Sequence, residues 1–235
     1  MRQLWIEHLG ILAYAEALDL QRQVARARIS GAIDQDVLLL VEHPPVITLG
    51  RSTKAGNLLA SPALLENRGV ELFEVERGGD VTFHGPGQLV GYPIVDLKRH
   101  RQDLHWYLRQ VEQALIDGLS DLGVQSERQA GLTGVWTHGR KIASIGVHAR
   151  DWVTWHGFAL NVTTDLSYFD LMVPCGIQAV TMTSVLQELG PARTSFPTVS
   201  EAVALSFARV FGLEAVTTDG KVKALLDQTI PTQVG

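Results

Sequence analysis

A lone cysteine carries the clearest chemical signal in this sequence of 235 residues. Cys175 is the only cysteine and stands in the run 173–177 (VPCGI). A single thiol cannot close a disulfide within the chain and is a poor metal site, so its remaining roles are core filler or nucleophile. Pro174 fixes one backbone angle before the cysteine, and Gly176 permits a tight turn after it, so the loop would expose the sulfur.

Lys141 is the second candidate, because it precedes the apolar run 142–147 (IASIGV). Strand alternation predicts that Lys141 shares one face with Ala143 and Ile145. A lysine in such a strand either carries its amine out to the edge of the sheet or keeps it inside. If the ammonium lies near Cys175, it stabilises the thiolate, which is the nucleophilic form, and it could also transfer protons. The spacing alone leaves both roles open.

A glycine-rich run at 77–88 (RGGDVTFHGPGQ) connects two predicted strands. Its glycines let the backbone turn tightly and approach a ligand, although a tight connection without a ligand has the same composition. The run lacks the Gly-x-x-x-x-Gly-Lys-Ser/Thr pattern and opens no helix, so no nucleotide phosphate is predicted. His84, inside this run, is the histidine predicted to belong to a site. No spacing pairs the cysteine with the other histidines in the middle of the chain, which are His43, His138, His148 and His156.

The composition limits the classes of protein to which this chain can belong. Charged residues make up 19% and hydrophobic residues 46%, and no apolar run reaches membrane-spanning length, which predicts a globular chain that works in water. The net charge of −5 predicts no nucleic-acid partner. Residues 1–8 lack the pattern of a secretory signal, and together with one free thiol this predicts a cytoplasmic protein. The length predicts one domain over 1–235, with the tail from about 213 left without an interpretation.

Apolar periodicity predicts helices at about 7–29, 103–122, 199–211 and 221–226. It predicts strands at 36–42, 46–49, 70–75, 89–95, 134–136, 140–148 and 153–162. The alternation in 70–75 indicates one covered face, and the turn 137–139 indicates a hairpin. Adjacent hairpins with helices before and between them predict a mixed α/β (α+β) fold, in which a largely antiparallel sheet packs with helices.

Several runs together resemble the lipoyl(octanoyl) transferases of the biotin and lipoate protein ligase superfamily. The runs that carry the resemblance are 77–93 (RGGDVTFHGPGQLVGYP), 139–146 (GRKIASIG), 156–162 (HGFALNV), 174–177 (PCGI), 43–46 (HPPV), and Thr48 with Gly50. They occur in order between about 42 and 188, and the combination of separate motifs makes the resemblance specific. It does not reach beyond about Phe211.

The resemblance implies a fold like that of the biotin and lipoate protein ligase catalytic domains, and an enzyme of lipoate biosynthesis. Such an enzyme moves an octanoyl group from octanoyl-acyl carrier protein to a lysine of a lipoyl domain. The implied acceptors are the lipoyl domains of 2-oxoacid dehydrogenase complexes and the glycine cleavage H protein, and no cofactor, metal or membrane is implied. Cys175 would carry the acyl thioester and Lys141 would tune it. The substrate site implied by position comprises Arg77, Gly78, Gly79, Asp80, Val81, Thr82, Phe83, His84, Ser144, Ile145, Gly146, Gly157, Phe158 and Ala159.

Phe158 departs from the family pattern, because some relatives have a smaller aliphatic residue there, and we expect this to affect the acyl pocket. A thioester donor is already activated, so transfer through a thiolate needs no ATP. Amides at Gly146 or near Gly78 and Gly79 are candidates for holding the oxyanion. An acidic carrier protein would favour a basic rim that includes Arg140 and Arg150.

Two other functions stay in view. An ATP-dependent lipoate or biotin ligase of the same fold would need an adenylating loop and would not need the cysteine, and the sequence after His84 fits that loop poorly. A noncatalytic module that binds acyl-carrier or lipoyl domains would use Cys175 and Lys141 only as structural residues.

Overall fold

A computed structural model describes residues 2–218 and 220–229 of the chain, and ten strands in two sheets form its framework. The strands are β1 (Gln3–Ile11), β2 (Asp36–Glu42), β3 (Val46–Leu49), β4 (Glu71–Glu74), β5 (Thr82–His84), β6 (Gln88–Ile94), β7 (Val135–Thr137), β8 (Arg140–Arg150), β9 (Val153–Asn161) and β10 (Glu214–Thr217). The larger sheet has the order β10-β1-β2-β6-β9-β8-β7, and the smaller one has the order β4-β3-β5. In the larger sheet β1 pairs in parallel with β10 and β2, and the remaining pairs are antiparallel. The mixed, largely antiparallel sheet is therefore confirmed.

Helices cover both faces of the larger sheet. They are α1 (Tyr14–Ser30), α2 (Pro62–Asn67), α3 (Leu104–Asp121), α4 (Val185–Leu189), α5 (Phe196–Val210) and α6 (Lys221–Thr229). Helices α3 and α5 bury one sheet face, and α1 and α6 cover part of the other. None of the helices in the described part of the chain is long and apolar enough to cross a membrane.

The first predicted helix is wrong at its amino end. Glu7 to Ile11 belong to β1, and α1 begins only at Tyr14 and ends before Gly31, which has φ 82°. Leu9 and Leu12 fit the helical spacing, but Glu7, His8 and Ile11 pair with β2, and residues 3–6 of the same strand also pair with β10, more than 200 residues away in sequence. Strand pairing between distant parts of the chain therefore overrides the helical spacing of the local apolar residues.

The other predicted elements are confirmed with small shifts at their ends. The strand predicted at 70–75 exists, but it lies at the edge of the smaller sheet with Leu72 45% exposed, so its predicted covered face is only partly formed. The hairpin turn is formed by His138 and Gly139, both with positive φ, as a two-residue connection between β7 and β8 requires. Strands β5 and β10 and helices α2 and α4 were not predicted.

The centre of the larger sheet is packed so closely that one position accepts only glycine. Gly91 of β6 lies opposite Phe158 of β9, and the phenyl ring occupies the place of the missing side chain. A Cβ at Gly91 would lie 2.1 Å from the ring. This contact fixes Phe158 in the core beneath the site described below.

We therefore expect Gly91→Ala to destabilise the fold by about 1–3 kcal/mol, because the added methyl must displace the Phe158 ring or the strand. Urea unfolding of purified protein measures this change. Gly56→Ala is the matched control: no atom lies within 4 Å of the place that its added methyl would take, so its free energy of unfolding should stay within about 0.5 kcal/mol of the parent. Equal stabilities for the two variants would contradict the packing argument.

Candidate functional site

A cavity of about 180 Å³ lies between the two sheets. Most of the residues predicted for the substrate site line it, together with both predicted catalytic residues. The predicted residues that line it are Arg77, Gly79, Asp80, Thr82, His84, Lys141, Ser144, Ile145, Gly146, Gly157, Phe158, Ala159 and Cys175. Residues that are far apart in sequence thus meet at one place, as a site requires.

Three predicted residues do not line the cavity. Val81 and Phe83 are buried in the core of the smaller sheet, where the Phe83 ring stacks on Tyr168 at 4.5 Å. Thr82 and His84 face the cavity because side chains alternate along β5. The Gly78 amide donates to the carbonyl of Val147 at 2.8 Å. Of the amides predicted to hold an oxyanion, that of Gly78 is therefore already engaged.

Sequence reasoning missed eight residues of the lining. They are Tyr14, Val90, Tyr92, Gly131, Leu132, Thr133, His156 and Ile177. Val90, Tyr92, His156 and Ile177 stand inside the runs that carry the family resemblance, so membership of those runs was an available signal. Tyr14 and Gly131–Thr133 lie outside the runs, and only the three-dimensional fold brings them to the cavity.

Cys175 sits in a tight turn that holds its thiol at the cavity. Its backbone has φ 56° and ψ 20°, a left-handed conformation that costs a non-glycine residue about 1 kcal/mol or more. The Cys175 amide donates to the carbonyl of Val81 at 2.9 Å, and the half-buried Sγ donates to Ser144 Oγ at 3.5 Å. The thiol is thereby directed at β8.

The residue after the cysteine must be glycine. Gly176 has φ 67°, and a Cβ there would lie 2.6 Å from Asp80 Oδ2. That carboxylate is fixed in turn, because it accepts from Asn57 Nδ2 at 2.6 Å and from the Val81 amide at 2.7 Å. The glycine-rich run and the cysteine turn therefore support each other.

Lys141 is buried, with 1% of its surface exposed, and lines the same cavity as Cys175. Its Nζ lies 5.0 Å from the centre of the Trp136 ring, a separation at which the ring face stabilises a cation. The register of β7 and β8 shifts between Val135 and Trp136, so the expected alternation is broken. Ala143 accordingly packs in the core beneath α3 and α5, and not beside Lys141 on the cavity face as predicted.

The backbone of Lys141 is tied to the segment that follows the cysteine turn. Its amide donates to the carbonyl of Thr181 at 2.8 Å, and its carbonyl accepts from the Thr183 amide at 2.9 Å. Thr183 also accepts, through its own carbonyl, from Asn161 Nδ2 at 3.0 Å. Asn161 Oδ1 accepts from Gln88 Nε2, and Gln88 Oε1 is bonded to His84 Nδ1 at 2.9 Å. A continuous chain of hydrogen bonds therefore links the glycine-rich run to the strand of Lys141.

An aromatic cluster at the cavity is uncharged; Tyr14, His84 and Tyr92 line the cavity, and His43, which does not line it, packs against them. Burial lowers the pKa of His84 to about 3 and that of His43 to about 4, and it raises the pKa of Tyr14 to about 12. The Tyr14 ring stacks on His84 with centroids 6.0 Å apart, and His43 Nε2 is bonded to the Tyr92 hydroxyl at 2.7 Å. At neutral pH these four side chains are neutral, which suits an apolar ligand.

No histidine accompanies the thiol. Among the described residues, the hydrogen-bond partner of Cys175 Sγ is Ser144 Oγ. His156 lines the cavity, but its Nε2 lies 3.7 Å from Glu76 Oε2 and is directed to that carboxylate. No group of three or more His, Cys, Asp or Glu side chains within 2–218 and 220–229 is placed to bind a metal ion.

The neutral His43 makes stability depend on pH. Its pKa of about 4 in the folded protein lies below the value near 6.5 of an unfolded histidine, so between these values the unfolded chain binds more protons. The free energy of unfolding should therefore fall as the pH decreases from about 6.5 to about 4, and His43 should contribute up to about 3 kcal/mol of that loss. Urea titrations at several pH values measure the slope. His43→Gln should flatten it, whereas the exposed His138→Gln should not; parallel slopes in all three proteins would contradict the assignment.

Comparison with known proteins places the chain in a family. Residues 13–208 match the family described as the lipoyl protein ligase A/B catalytic domain. An octanoyltransferase of Gloeobacter violaceus is 52% identical over 87% of this chain and 89% of its own length. One from Solibacter usitatus is 51% identical over 91% of this chain and 96% of its own length.

A solved structure of a bi-partite lipoate protein ligase from Thermoplasma acidophilum superposes with a TM-score of 0.73 over 97% of this chain and 92% of its own. The two sequences are only 16% identical, so this likeness shows the fold alone, and it confirms the fold predicted from the resemblance. By the matched domain and the two curated relatives, the chain belongs to the lipoyl protein ligase A/B catalytic domain family.

Proposed function

We propose that this protein is an octanoyltransferase that moves an octanoyl group from octanoyl-acyl carrier protein to a lysine of lipoyl domains, through a thioester on Cys175. The two relatives at 51–52% identity are named octanoyltransferases, and this supports an acyltransferase over a noncatalytic binding module. The observation that carries the chemistry is that the thiol of Cys175 and the buried side chain of Lys141 line one cavity. Residues 1–235 would act as one catalytic domain in the cytoplasm, without a cofactor.

The first half-reaction loads the cysteine. The thiolate of Cys175 attacks the carbonyl carbon of the donor thioester, a new C–S bond forms, and the C–S bond to the carrier breaks. Lys141, as an ammonium, gives a proton to the departing thiolate of the carrier. Ser144 Oγ, 3.5 Å from Sγ, turns its hydrogen toward the ionised sulfur, since a hydroxyl donates as readily as it accepts.

The second half-reaction transfers the octanoyl group from Cys175 to the acceptor lysine. The amine of the acceptor lysine attacks the thioester carbonyl, the C–N bond forms, and the Cys175 thiolate leaves. The now neutral Lys141 takes the proton that the attacking amine must lose. An amide replaces a thioester, so the step runs downhill and needs no ATP. Of the predicted amides, that of Gly79, which lines the cavity, is the remaining candidate for holding the oxyanion, because Gly146 lies opposite Gly157 in the β8–β9 pair and its amide points to that strand.

The acyl chain would lie against the apolar part of the lining. Val90, Phe158, Ala159 and Ile177 present hydrocarbon to the cavity. Burying about six methylenes at about 0.8 kcal/mol each contributes roughly 5 kcal/mol before the costs of binding. Recognition of the fatty chain is therefore mainly hydrophobic.

The protein partners follow from this activity. Octanoyl-acyl carrier protein would be the donor, and the lipoyl domains of 2-oxoacid dehydrogenase complexes and the glycine cleavage H protein would be the acceptors. The ligase from Thermoplasma acidophilum was solved in a study that includes its E2 lipoyl domain, which supports an acceptor of that kind. Of the two arginines expected at a basic rim, Arg150 is largely exposed, whereas Arg140 pairs with Glu188 at 2.9 Å.

An ATP-dependent ligase is the alternative, because lipoate protein ligases, including one solved with bound ATP, share the fold. It would transfer its acyl group without a cysteine. The position of Cys175 at the cavity and the names of the curated relatives favour the transferase.

Incubation with octanoyl-acyl carrier protein in the absence of ATP should add one octanoyl group to the protein, detected by intact mass. The adduct should be sensitive to hydroxylamine, as a thioester is, and Cys175→Ala should abolish it. Absence of the adduct, together with octanoylation of a lipoyl domain that requires ATP and octanoate, would favour the ligase, and an adduct that persists in Cys175→Ala would contradict the role of Cys175.

Lys141→Met should lower the rate of octanoyl transfer to a lipoyl domain by about 10²–10⁴-fold, the usual contribution of a proton-transferring side chain. Lys98→Met is the matched control, because Lys98 is exposed, pairs with Asp96 and lies outside the cavity. A discontinuous transfer assay followed by mass spectrometry measures both variants. Transfer by Lys141→Met at the rate of Lys98→Met would rule out the proposed role of Lys141.

A further inference from the structure

The glycine-rich run places a second buried cation beside the cavity. Arg77 is 6% exposed, and it lines the same cavity as Cys175. Its guanidinium donates to Thr48 Oγ1 at 2.8 Å, to the Thr48 carbonyl at 2.7 Å and to the Gly78 carbonyl at 3.1 Å. All of these acceptors are neutral oxygens.

No carboxylate among the described residues forms an ion pair with Arg77. The neighbouring Asp80 carboxylate is bonded instead to Asn57 and to the Val81 amide. Arg28, the other arginine buried to a similar degree in the described chain, shows the usual arrangement, since it pairs with Asp36 at 3.1 Å. A buried charge without a counter-ion is unfavourable, so the charge of Arg77 requires an explanation other than stability.

The guanidinium and the sulfur lie along the same face of β8. A Cβ on Gly146 would lie 3.2 Å from Arg77 Cδ and 3.5 Å from its NH1, so the arginine packs directly on this glycine. Ser144, two residues earlier on the strand, is the hydrogen-bond partner of Cys175 Sγ. Positions two apart on a strand are separated by roughly 7 Å. The guanidinium and the sulfur therefore contact neighbouring positions on one face of the strand, and charges placed in this way interact appreciably in a buried site.

The electrostatics of Arg77 agree with this placement. Burial lowers the pKa of the Arg77 guanidinium from its ordinary value, while charge interactions with Tyr14, Cys175, Tyr92 and Asp80 favour its charged form, although the Asp80 carboxylate makes no ion pair with it. An arginine remains protonated even so. Its positive charge is therefore permanent, whereas a lysine in the same cavity can give up its proton.

We infer that Arg77 is a positioning residue for the proposed reaction, which holds Cys175 as a thiolate by supplying a fixed positive charge beside the cavity. The inference rests on the proposed function, because it takes Cys175 as the nucleophile. Lys141 must release and recover a proton during each cycle, so its charge is not constant. Arg77 keeps the leaving sulfur ionised at the moment when Lys141 is neutral.

The single cysteine of the chain makes the test direct. The rate of alkylation of Cys175 by iodoacetamide, followed by intact mass between pH 5 and 10, has a midpoint that reports ionisation of this thiol alone. Arg77→Gln should raise that midpoint by about one pH unit, and Arg77→Lys should restore most of the shift, because a charge nearby favours the ionised form. Arg140→Gln is the matched control: its guanidinium pairs with Glu188 outside the cavity, and the midpoint should not move.

A folded Arg77→Gln whose midpoint equals that of the parent overturns the inference. If Arg77→Gln does not fold, Thr48→Val removes the hydroxyl that anchors the guanidinium and should raise the midpoint by a smaller amount. An unchanged midpoint in that variant, with a melting temperature like that of the parent, also overturns it. Alkylation needs no octanoyl donor, so a shift in the midpoint without formation of an octanoyl adduct would reject the proposed function and leave the electrostatic role of Arg77 standing.

Discussion

Burial of positive charge around a single thiol is the constraint on which this structure depends. Lys141 reaches the cavity from one strand of the larger sheet, and Arg77 reaches it from the glycine-rich run. Both cations need support that does not neutralise them. The Trp136 ring gives this support to Lys141, and the oxygens of Thr48 give it to Arg77. The Asp80 carboxylate also lines the cavity, but it is bonded to Asn57 and to the Val81 amide and forms an ion pair with neither cation among the described residues.

The same constraint explains the tight turns and the missing side chains near the site. Cys175 adopts a left-handed backbone conformation, and its amide is held by the carbonyl of Val81. Gly176 and Gly146 lack the side chains that would push Asp80 and Arg77 away. Local strain and close approach thus bring the sulfur and the guanidinium to one face of β8. Away from the site, packing of the helices on the sheet stabilises the fold.

The sequence predicted the central residues of the cavity lining better than the residues that surround them. The motifs around Arg77, Lys141 and Cys175 are local in sequence, and the cavity unites them as expected. Tyr14 and the loop 131–133 reach the cavity only through tertiary packing, so no local pattern could indicate them. The amino-terminal strand was missed for a similar reason, because its apolar spacing fits a helix and its partner β10 is remote. The bulge opposite Trp136 changes the direction of the Lys141 side chain, and the alternation of apolar and polar residues along the strand does not predict it.

The position of Tyr14 has a consequence for selectivity among fatty chains. The Tyr14 ring lines the cavity and stacks on His84. Tyr14 is also the first residue of α1, a helix of 17 residues that packs on the larger sheet. A longer hydrocarbon that presses on this ring therefore meets the resistance of an entire docked helix and not that of one freely rotating side chain. The depth of the cavity is therefore set by how α1 packs on the sheet, and not by the residues next to the sulfur.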